Sequence, residues 1–599
     1  MGFNKEQLEV INNNINGAML VSASAGCGKS HTLIGRIKYM VESGINPSDI
    51  TITTFTNDSA TDLKKKLDKE CIFGVNVCTF HSLCRNILIK EGYNIDKRPP
   101  ANYIFQNRFK ALRLDKKILT NDIRSWISFQ KNYGLNSSSP TFMDKDIDYD
   151  EYNLRMYFKE YEKIMEEYKC YDYTDWLILT INVLLQDFEE KYTTKYLMID
   201  EFQDSNVLQV KLMQLLCPSK NVVVVGDEKQ CLYAFRGSNH GIMENFTKLY
   251  PNAKVVRLKT NYRSCKNLVE QGNVFARYYF GDSDLYADAE SYNQTDGIID
   301  TMAFENEEAQ AIHVVRKVEQ WLNEGVEPND IAILYRNNKN AFEIENELKC
   351  KGIDYSISGN NSFFERTESK ILLAILRLIQ NTKDDSAVEE LLMYRVDTLK
   401  YIKKPVGTDI IDEADRRNIP LFKVCSSYSK ADYNTKRNLD TFVNNIKDLI
   451  VLHNDGLDLY SLVKKIIRLF NIVDYVENKY EEQEQIEERL ESIDSFTKFI
   501  KGNTLDSFLT FVYTDIVQGN KKKKTSKDQI MLRTVHASKG LEWKKVILVS
   551  VENDKFPNKK ADIYDEACCM YVAVTRAEEE FVLCELGMGN TFTENYFEE

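Results

Sequence analysis

The chain has 599 residues, too many for one hydrophobic core, and so implies several domains. With 43% hydrophobic and 28% charged residues it has an ordinary globular composition, and no apolar run reaches the length of a membrane span. Its net charge of −13 excludes a protein that coats nucleic acid by bulk charge, although a local groove needs only a few placed cations and aromatics. The opening Met1-Gly2-Phe3-Asn4-Lys5-Glu6 lacks the apolar core of a signal peptide. Thirteen Cys without a C-x-x-C pair, and six His without a cluster, read as free thiols in a reducing compartment and no zinc site. Adjacent Cys568 and Cys569 read as two core thiols.

Phe3 to Ile11 reads as a short amphipathic helix with Asn4 as its N-cap. Gln7 on it carries an amide able to pair with a base edge. The apolar run Leu20-Val21 then enters a turn of small residues, Ser22-Ala23-Ser24-Ala25-Gly26-Cys27-Gly28, followed by Lys29-Ser30 and the helix-like His31-Thr32-Leu33-Ile34. That order builds a phosphate-binding loop. Small side chains let backbone N–H groups curl around a polyphosphate, and the helix N-terminus adds its positive dipole end. Lys29 is placed to reach the β- and γ-phosphates, and the Ser30 hydroxyl to bind Mg²⁺. Ala23 stands where the strict G-x-x-x-x-G-K-[ST] pattern has its first glycine.

Ile50 to Asn57 reads as a strand, Ala60 to Leu67 as a helix, and Val75 to Ser82 as a second strand. Strands alternating with helices imply a parallel sheet with ligands at the strand C-termini, where Phe55 and His81 are expected. From about Gly92 to Lys195 the chain turns helical, aromatic and charged, an insertion closed by Tyr171-Asp172-Tyr173-Thr174-Asp175-Trp176. The sheet resumes at Tyr196-Leu197-Met198-Ile199 and ends in Asp200-Glu201-Phe202-Gln203-Asp204. An apolar strand ending in adjacent carboxylates suits nucleotide hydrolysis: Asp200 holds Mg²⁺ through water and Glu201 polarises the attacking water.

Val222 to Gly226 is a further buried strand, leading to Gln230 as a γ-phosphate sensor and to Tyr233, Phe235 and Arg236, the ingredients of a single-strand platform. A second α/β unit begins near residue 298, with the strand Ile331 to Arg336, the stretch Phe363-Phe364-Glu365-Arg366, and a periodic helix Lys370 to Gln380. Residues from about Asp384 to Lys524 are helical again, ending in the lysine run 521–524 as a solvated hinge loop. The sheet returns at Ile530 to Trp543 and Val546 to Val551, and a helix from about Asp565 carries Val572-Ala573-Val574-Thr575-Arg576-Ala577. There is no short-period internal repeat and no long disordered tail.

Together these stretches resemble a UvrD/Rep-type superfamily 1 helicase. The resemblance rests on an order of motifs spanning Gln7 to Arg576: a Gln ahead of the phosphate loop, T-F-T-N, T-F-H, D-E-F-Q-D, V-G-D-x-x-Q-x-x-Y-x-F-R-G, N-Y-R-S, F-F-E-R, T-V-H-A-S-K-G-L-E-W and V-A-V-T-R-A. It implies an α/β protein with two RecA-like parallel-sheet motor domains, each carrying a mainly helical insertion. The expected limits are 1–92 and 196–265 for the first motor domain, with 93–195 as its insertion. Those of the second are 266–384 and 525–599, with 385–524 inserted.

The implied activity is ATP-dependent, 3′→5′ translocation and unwinding in DNA repair or replication. The implied ligands are ATP, Mg²⁺ and single-stranded or 3′-tailed DNA. By the same resemblance Gln7 reads adenine and Tyr262 stacks on it. The loop from Ala23 to Ser30, with His31, surrounds the phosphates and base; Lys539 and Glu542 bring the second motor domain onto the nucleotide. Gln230 couples the γ-phosphate to the DNA groove, and Arg263 and Arg576 act as arginine fingers. Phe55, Thr56, Asn57, His81, Tyr233, Phe235 and Arg236 contact the strand.

Four departures stand out. Ser24 replaces a usual Gly, His31 a common Arg, and Phe235 the usual Trp, which preserves stacking. Pro405-Val406-Gly407-Thr408 is a degenerate version of the family's Gly-Ile-Gly duplex grip, which weakens the expectation of processive unwinding. No C-terminal partner-binding extension or nuclease domain is expected after Arg576. The competing reading is a DNA-stimulated ATPase that serves as a sensor or regulatory subunit beside a nuclease. A small-molecule P-loop kinase has no use for Phe55, Tyr233, Phe235 and a second lobe carrying Arg576. The expected setting is cytoplasmic and nucleoid-associated, a monomer in isolation, with no membrane contact and room for a protein partner, a repair factor or nuclease, that the sequence does not name.

Overall fold

The computed structural model describes residues 2–592 apart from 96–98, 101, 116, 117, 119, 144, 146, 148, 233–240, 282–284, 286, 358–363, 365, 481–485, 487, 488, 491, 495, 498, 499, 501–503, 511, 513–528, 560 and 588. Contacts divide the chain into two compact units, one of residues 1–100, 104–336 and 530–599, the other of 101–103 and 337–529.

In the first unit, helix α1 (Lys5–Ile11) leads to strand β1 (Met19–Ala23) and helix α2 (Lys29–Glu42). Asn4 caps α1 in a reciprocal box with Gln7, a device worth about 1 kcal/mol. Buried Arg36 of α2 donates to the carbonyls of Val10 (2.6 Å) and Asn14 (2.9 Å), satisfying the other end of α1 and fixing it to α2.

Strand β2 (Ile50–Thr54), helix α3 (Asn57–Lys69), strand β3 (Asn76–Thr79) and helix α4 (Phe80–Lys90) follow. Two strand ends fall earlier than the sequence suggests. Thr56 and Thr79 are N-caps whose hydroxyls accept from Ser59 N and Ser82 N, both at 3.1 Å. Hence Asn57 opens α3, and His81 lies in the first turn of α4 rather than on a strand tip.

Helices α5 (Asn102–Leu112), α6 (Thr120–Asn132) and α7 (Glu151–Tyr168) form the helical insertion around a core of Phe105, Phe109, Trp126, Tyr157 and Phe158. Helix α8 (Tyr173–Gln186) buries Leu177, Ile181 and Leu184 in the core under the first sheet. Tyr173 to Trp176 are therefore the first turn of a helix that returns to the sheet.

Strand β4 (Tyr196–Ile199), helix α9 (Val207–Leu216), strand β5 (Val222–Gly226), helix α10 (Ile242–Leu249) and strand β6 (Lys254–Leu258) complete an all-parallel sheet in the order β3-β2-β4-β5-β1-β6. Its central strands are apolar on both faces, as Val222 to Val225 illustrate, because cores cover both sides.

Strand β7 (Thr260–Cys265), helix α11 (Lys266–Phe280) and strand β8 (Glu290–Asn293) lead to β9 (Ile298–Phe304), α12 (Glu307–Asn323) and β10 (Ile331–Tyr335). The chain then enters the second unit: α13 (Phe342–Cys350), β11 (Tyr355–Ile357), α14 (Thr367–Gln380), α15 (Asp385–Tyr394), α16 (Lys404–Arg417), α17 (Leu421–Ser427), α18 (Tyr433–Asn454), α19 (Leu459–Leu469) and α20 (Ile472–Lys479). The periodic helix α14 is buried along most of its length in this helical core. Arg366 precedes it and Phe364 joins the same core, while Phe363, Glu365 and the lysine run 521–524 lie outside the described residues. Pro405 to Thr408 form the first turns of α16.

Back in the first unit, β12 (Ile530–Thr534), β13 (Trp543–Val551), α21 (Ile563–Val574) and β14 (Ala577–Leu586) complete a second parallel sheet, which within this unit runs β12-β10-β13-β14-β9. Cys568 and Cys569 on α21 are buried in its core. Among the described residues, no helix is long and apolar enough to cross a membrane.

Candidate nucleotide-hydrolysis site

The loop between β1 and α2 is held from outside by its carbonyls. Ala25 O accepts from Asn261 Nδ2 (3.0 Å), Gly26 O from Tyr262 N (2.9 Å) and Cys27 O from Gln7 Nε2 (3.4 Å). In a planar trans peptide the C=O and the next N–H point in opposite directions. The amides of Gly26 and Gly28 are therefore turned away from those partners, and α2 adds its own first-turn N–H groups, which have no intrahelical acceptor. Both glycines have left-handed backbones, φ 72° and 75°. A Cβ at Gly26 would stand 2.8 Å from Asn261 Oδ1, and one at Gly28 2.9 Å from Gln7 Nε2. Ser24, in a position the family fills with Gly, uses its hydroxyl to accept from Lys229 Nζ at 3.4 Å.

Beside the loop, Gln7 is buried and pinned by Asn4. Phe3 stacks on His31 with centroids 4.5 Å apart, and Tyr262 packs on exposed Tyr292 at 5.2 Å. Two aromatic pairs and one amide thus lie at the end of the loop where the sequence expects a base.

Three parallel strands deliver the reacting groups to one sheet edge: β1 leads to Lys29, β4 to Asp200 and Glu201, and β5 to Gln230. Asp200 N still bonds to Thr53 O (2.9 Å), so the strand ends there. Glu201 takes a left-handed backbone, φ 54°, an unusual conformation for a side-chain-bearing residue and one that costs on the order of 1 kcal/mol. Its Oε1 stands 3.3 Å from Lys29 Nζ, and its Oε2 accepts from Gln203 Nε2 at 2.5 Å. Gln203 is itself held, since its Oε1 accepts from Asp227 N (3.1 Å).

Burial alone would raise the Glu201 carboxyl, but the charges of Lys29 and Lys539 and the Gln203 donor outweigh it and keep it below the usual range. Burial and the neighbouring Glu201 charge push Asp200 the other way. Among the described residues no cation forms an ion pair with Asp200. Its carboxylate and the Ser30 hydroxyl are hard oxygen donors, the chemistry that suits Mg²⁺.

The second sheet contributes from across. Lys539, in the turn after β12, donates to Asp204 Oδ2 (2.5 Å) and Gln230 O (2.6 Å), and lies 3.9 Å from Glu201 Oε2. Arg576, at the end of α21, is 1% exposed. It donates to Val572 O (2.9 Å), Leu541 O (3.1 Å) and Gln230 Oε1 (2.9 Å), and Gln230 Nε2 donates to Asp227 Oδ2 (2.7 Å). Burial, with Arg263 nearby, lowers the Arg576 guanidinium to about 9. Arg263 on β7 bonds Glu542 (2.7 Å) and Thr575 O (2.8 Å). The expected nucleotide residues Lys29, Glu201, Gln230, Arg263, Lys539, Glu542 and Arg576 are thus linked in one network joining both sheets.

Of the expected strand-binding residues, Thr56 and Asn57 are exposed and Phe55 and His81 are half-buried. Asn57 Oδ1 accepts from Ser82 Oγ (3.4 Å), which joins the turns after β2 and β3. Tyr233, Phe235 and Arg236 lie outside the described residues. The structure adds Tyr173, to which sequence alone assigns no role. It is 67% exposed, meets the His81 ring edge-on at 5.8 Å and Trp176 at 5.0 Å. Gln203 and Asp204 are further additions, visible in the sequence only as the last letters of D-E-F-Q-D.

A phosphate loop, paired carboxylates and cross-lobe arginines between two parallel sheets define a two-lobed nucleotide-hydrolysing motor. The comparisons specify which kind. The profile of the UvrD/REP helicase N-terminal domain matches residues 3–251, and that of the UvrD-like helicase C-terminal domain matches residues 256–585. The ATP-dependent DNA helicase PcrA of Bacillus subtilis is 30% identical over 640 residues, covering 99% of this chain and 84% of that protein. The PcrA helicases of Staphylococcus aureus and Staphylococcus epidermidis are 27% and 26% identical, each covering 96% of this chain and 82% of their own length. The chain belongs to the UvrD/Rep family of superfamily 1 helicases and is an ATP-dependent DNA helicase in class. These relatives are helicases, so they give the sensor-subunit alternative no support.

Proposed function

We propose that this helicase hydrolyses ATP with Mg²⁺, moves 3′→5′ along single-stranded DNA and separates the duplex ahead, as a cytoplasmic, nucleoid-associated monomer in DNA repair or replication. The polarity is carried over from the family resemblance. One observation carries the coupling of hydrolysis to movement. Gln230, at the tip of a first-sheet strand, bonds Arg576 of the second lobe, so a change at either lobe moves the other.

In this reading Lys29 and the loop amides hold the β- and γ-phosphates, and Gln7, His31 and Tyr262 hold the base. Ser30 Oγ and Asp200, the latter through water, would hold Mg²⁺, which would supply charge neutralisation for the phosphates. Glu201 orients a water and takes its proton as the water oxygen bonds the γ-phosphorus and the bridging oxygen leaves on ADP. Arg576 from the second lobe, and Arg263, which is held on Glu542 and Thr575 O of that lobe, stabilise the charge on the transferring group, which ties chemistry to closure. Phe55, Thr56, Asn57, His81 and Tyr173 form the surface on which bases stack and release, and strand contacts by Tyr233, Phe235 and Arg236 are carried over from the family resemblance alone.

The test is unwinding of duplexes that carry a 3′ or a 5′ tail. Unwinding of the 3′-tailed substrate alone, lost in Glu201→Gln, is expected. Preference for the 5′ tail would overturn the polarity. ATP hydrolysis without unwinding of either would overturn the helicase step and return the sensor reading.

A further inference from the structure

We propose that Asp204 is a positioning residue for hydrolysis: it seats Lys539 of the second lobe against the first, beside Glu201 but off it. This rests on the roles proposed above for Glu201 and Lys539. The geometry carries it. Two lysines and two carboxylates form a line, Lys29–Glu201–Lys539–Asp204, that crosses from one lobe to the other. Lys539 Nζ lies 2.5 Å from Asp204 Oδ2 but 3.9 Å from Glu201 Oε2. The Asp204 side chain is fully buried, and its other oxygen, Oδ1, has no hydrogen-bond partner. Its hydrogen-bonding thus falls on Lys539. Lys539 also donates to the carbonyl of Gln230, the residue that receives Arg576.

The consequence concerns Glu201. Its Oε2 is already taken by Gln203 and its Oε1 faces Lys29. A second lysine drawn onto it would take a further lone pair and stabilise the carboxylate more strongly as an anion, leaving it less able to hold a water and take its proton. Without the Asp204 charge, Glu201 is the nearest carboxylate left for Lys539. A cation buried without its partner moves toward any remaining anion, because isolated burial of charge is costly. Asp204 therefore keeps Glu201 available and makes the placement of the second-lobe cation depend on the turn that carries the catalytic carboxylate. Burial pushes the Asp204 carboxyl up, to about 6, with Lys539 opposing, so its charge is held by that partner.

The experiment is a double-mutant cycle on the full chain, reading kcat and KM for DNA-stimulated ATP hydrolysis. Asp204→Asn should lower kcat on the order of tenfold while KM for ATP stays within about twofold. If Asp204 acts through Lys539, Asp204→Asn adds nothing once Lys539→Gln is present, and the double variant matches Lys539→Gln within about twofold. Effects that multiply would overturn the proposal. If Asp204→Asn alone is too unstable to purify, the double variant decides. Removing the stranded cation should restore folding and give the Lys539→Gln rate. A double variant that is also lost, or that falls well below that rate, overturns it. Glu201→Gln run beside the cycle separates the two readings. Hydrolysis retained there sinks the assignment of Glu201; hydrolysis abolished there with a multiplicative cycle sinks only the role of Asp204.

Discussion

The first sheet presents two kinds of surface along one edge. At the nucleotide end, Glu201, Gln203, Gln230, Lys539 and Arg576 are bonded to one another across both lobes, and most are deeply buried. At the proposed strand end, Thr56, Asn57 and Tyr173 are exposed, and Tyr173 meets the His81 ring in a T-shaped contact. The contrast fits the role proposed for each end. Phosphoryl transfer needs charges fixed before the reaction, since that is where their stabilisation comes from. A strand that moves needs faces on which any base can stack and which it can leave.

Breaking the fixed end should have the largest effects. Arg576→Ala removes a proposed finger and the bond to Gln230; kcat for hydrolysis should fall by about 10⁴, measured by phosphate release at saturating DNA. Glu201→Gln keeps the shape but not the base, and kcat should fall by about 10³ while ATP binding, read by a fluorescent analogue, persists. The open end should respond more mildly. Tyr173→Ala should raise the DNA concentration for half-maximal stimulation about tenfold, the loss of one stacking contact. A tenfold loss of kcat instead would mean that Tyr173 belongs to the fixed end.

The smallest effect is with pH. Burial raises the Asp204 carboxyl to about 6 against the pull of Lys539, with Glu201 and Lys29 as its other charged neighbours. A raised carboxyl is ionised only above that value, so the seat for Lys539 is present above pH 6 and lost as pH falls through it. Wild-type kcat should drop several-fold on that limb, and Asp204→Asn should be flatter there. A limb unchanged in Asp204→Asn would assign it to Asp200, also raised by burial.

The same contrast explains what the sequence discloses. Local chemistry is legible: the small-residue turn before Lys29, the carboxylates after Ile199 and the Asn4 cap all follow from neighbouring residues. The gathering of strand C-termini at one sheet edge is legible too, because alternating strands and helices imply a parallel sheet. What is not legible depends on distant partners. Asp204 and Lys539 are 335 residues apart, and Arg576 and Gln230 are 346 apart, so no spacing rule pairs them. Helix α8 reads as part of the aromatic insertion because Tyr171 to Trp176 continue its composition, yet Leu177, Ile181 and Leu184 face the first sheet's core. The end of β3 was hidden because Thr79 suits a strand and a helix cap equally, and the bond to Ser82 N decides for the cap.

The most direct measurement is the rate of ATP hydrolysis by the full chain with and without single-stranded DNA. If the strand surface and the nucleotide network are two ends of one motor, DNA raises kcat many-fold. A rate indifferent to DNA would mean that Phe55, His81 and Tyr173 do not report to Glu201, and that the two ends are not coupled.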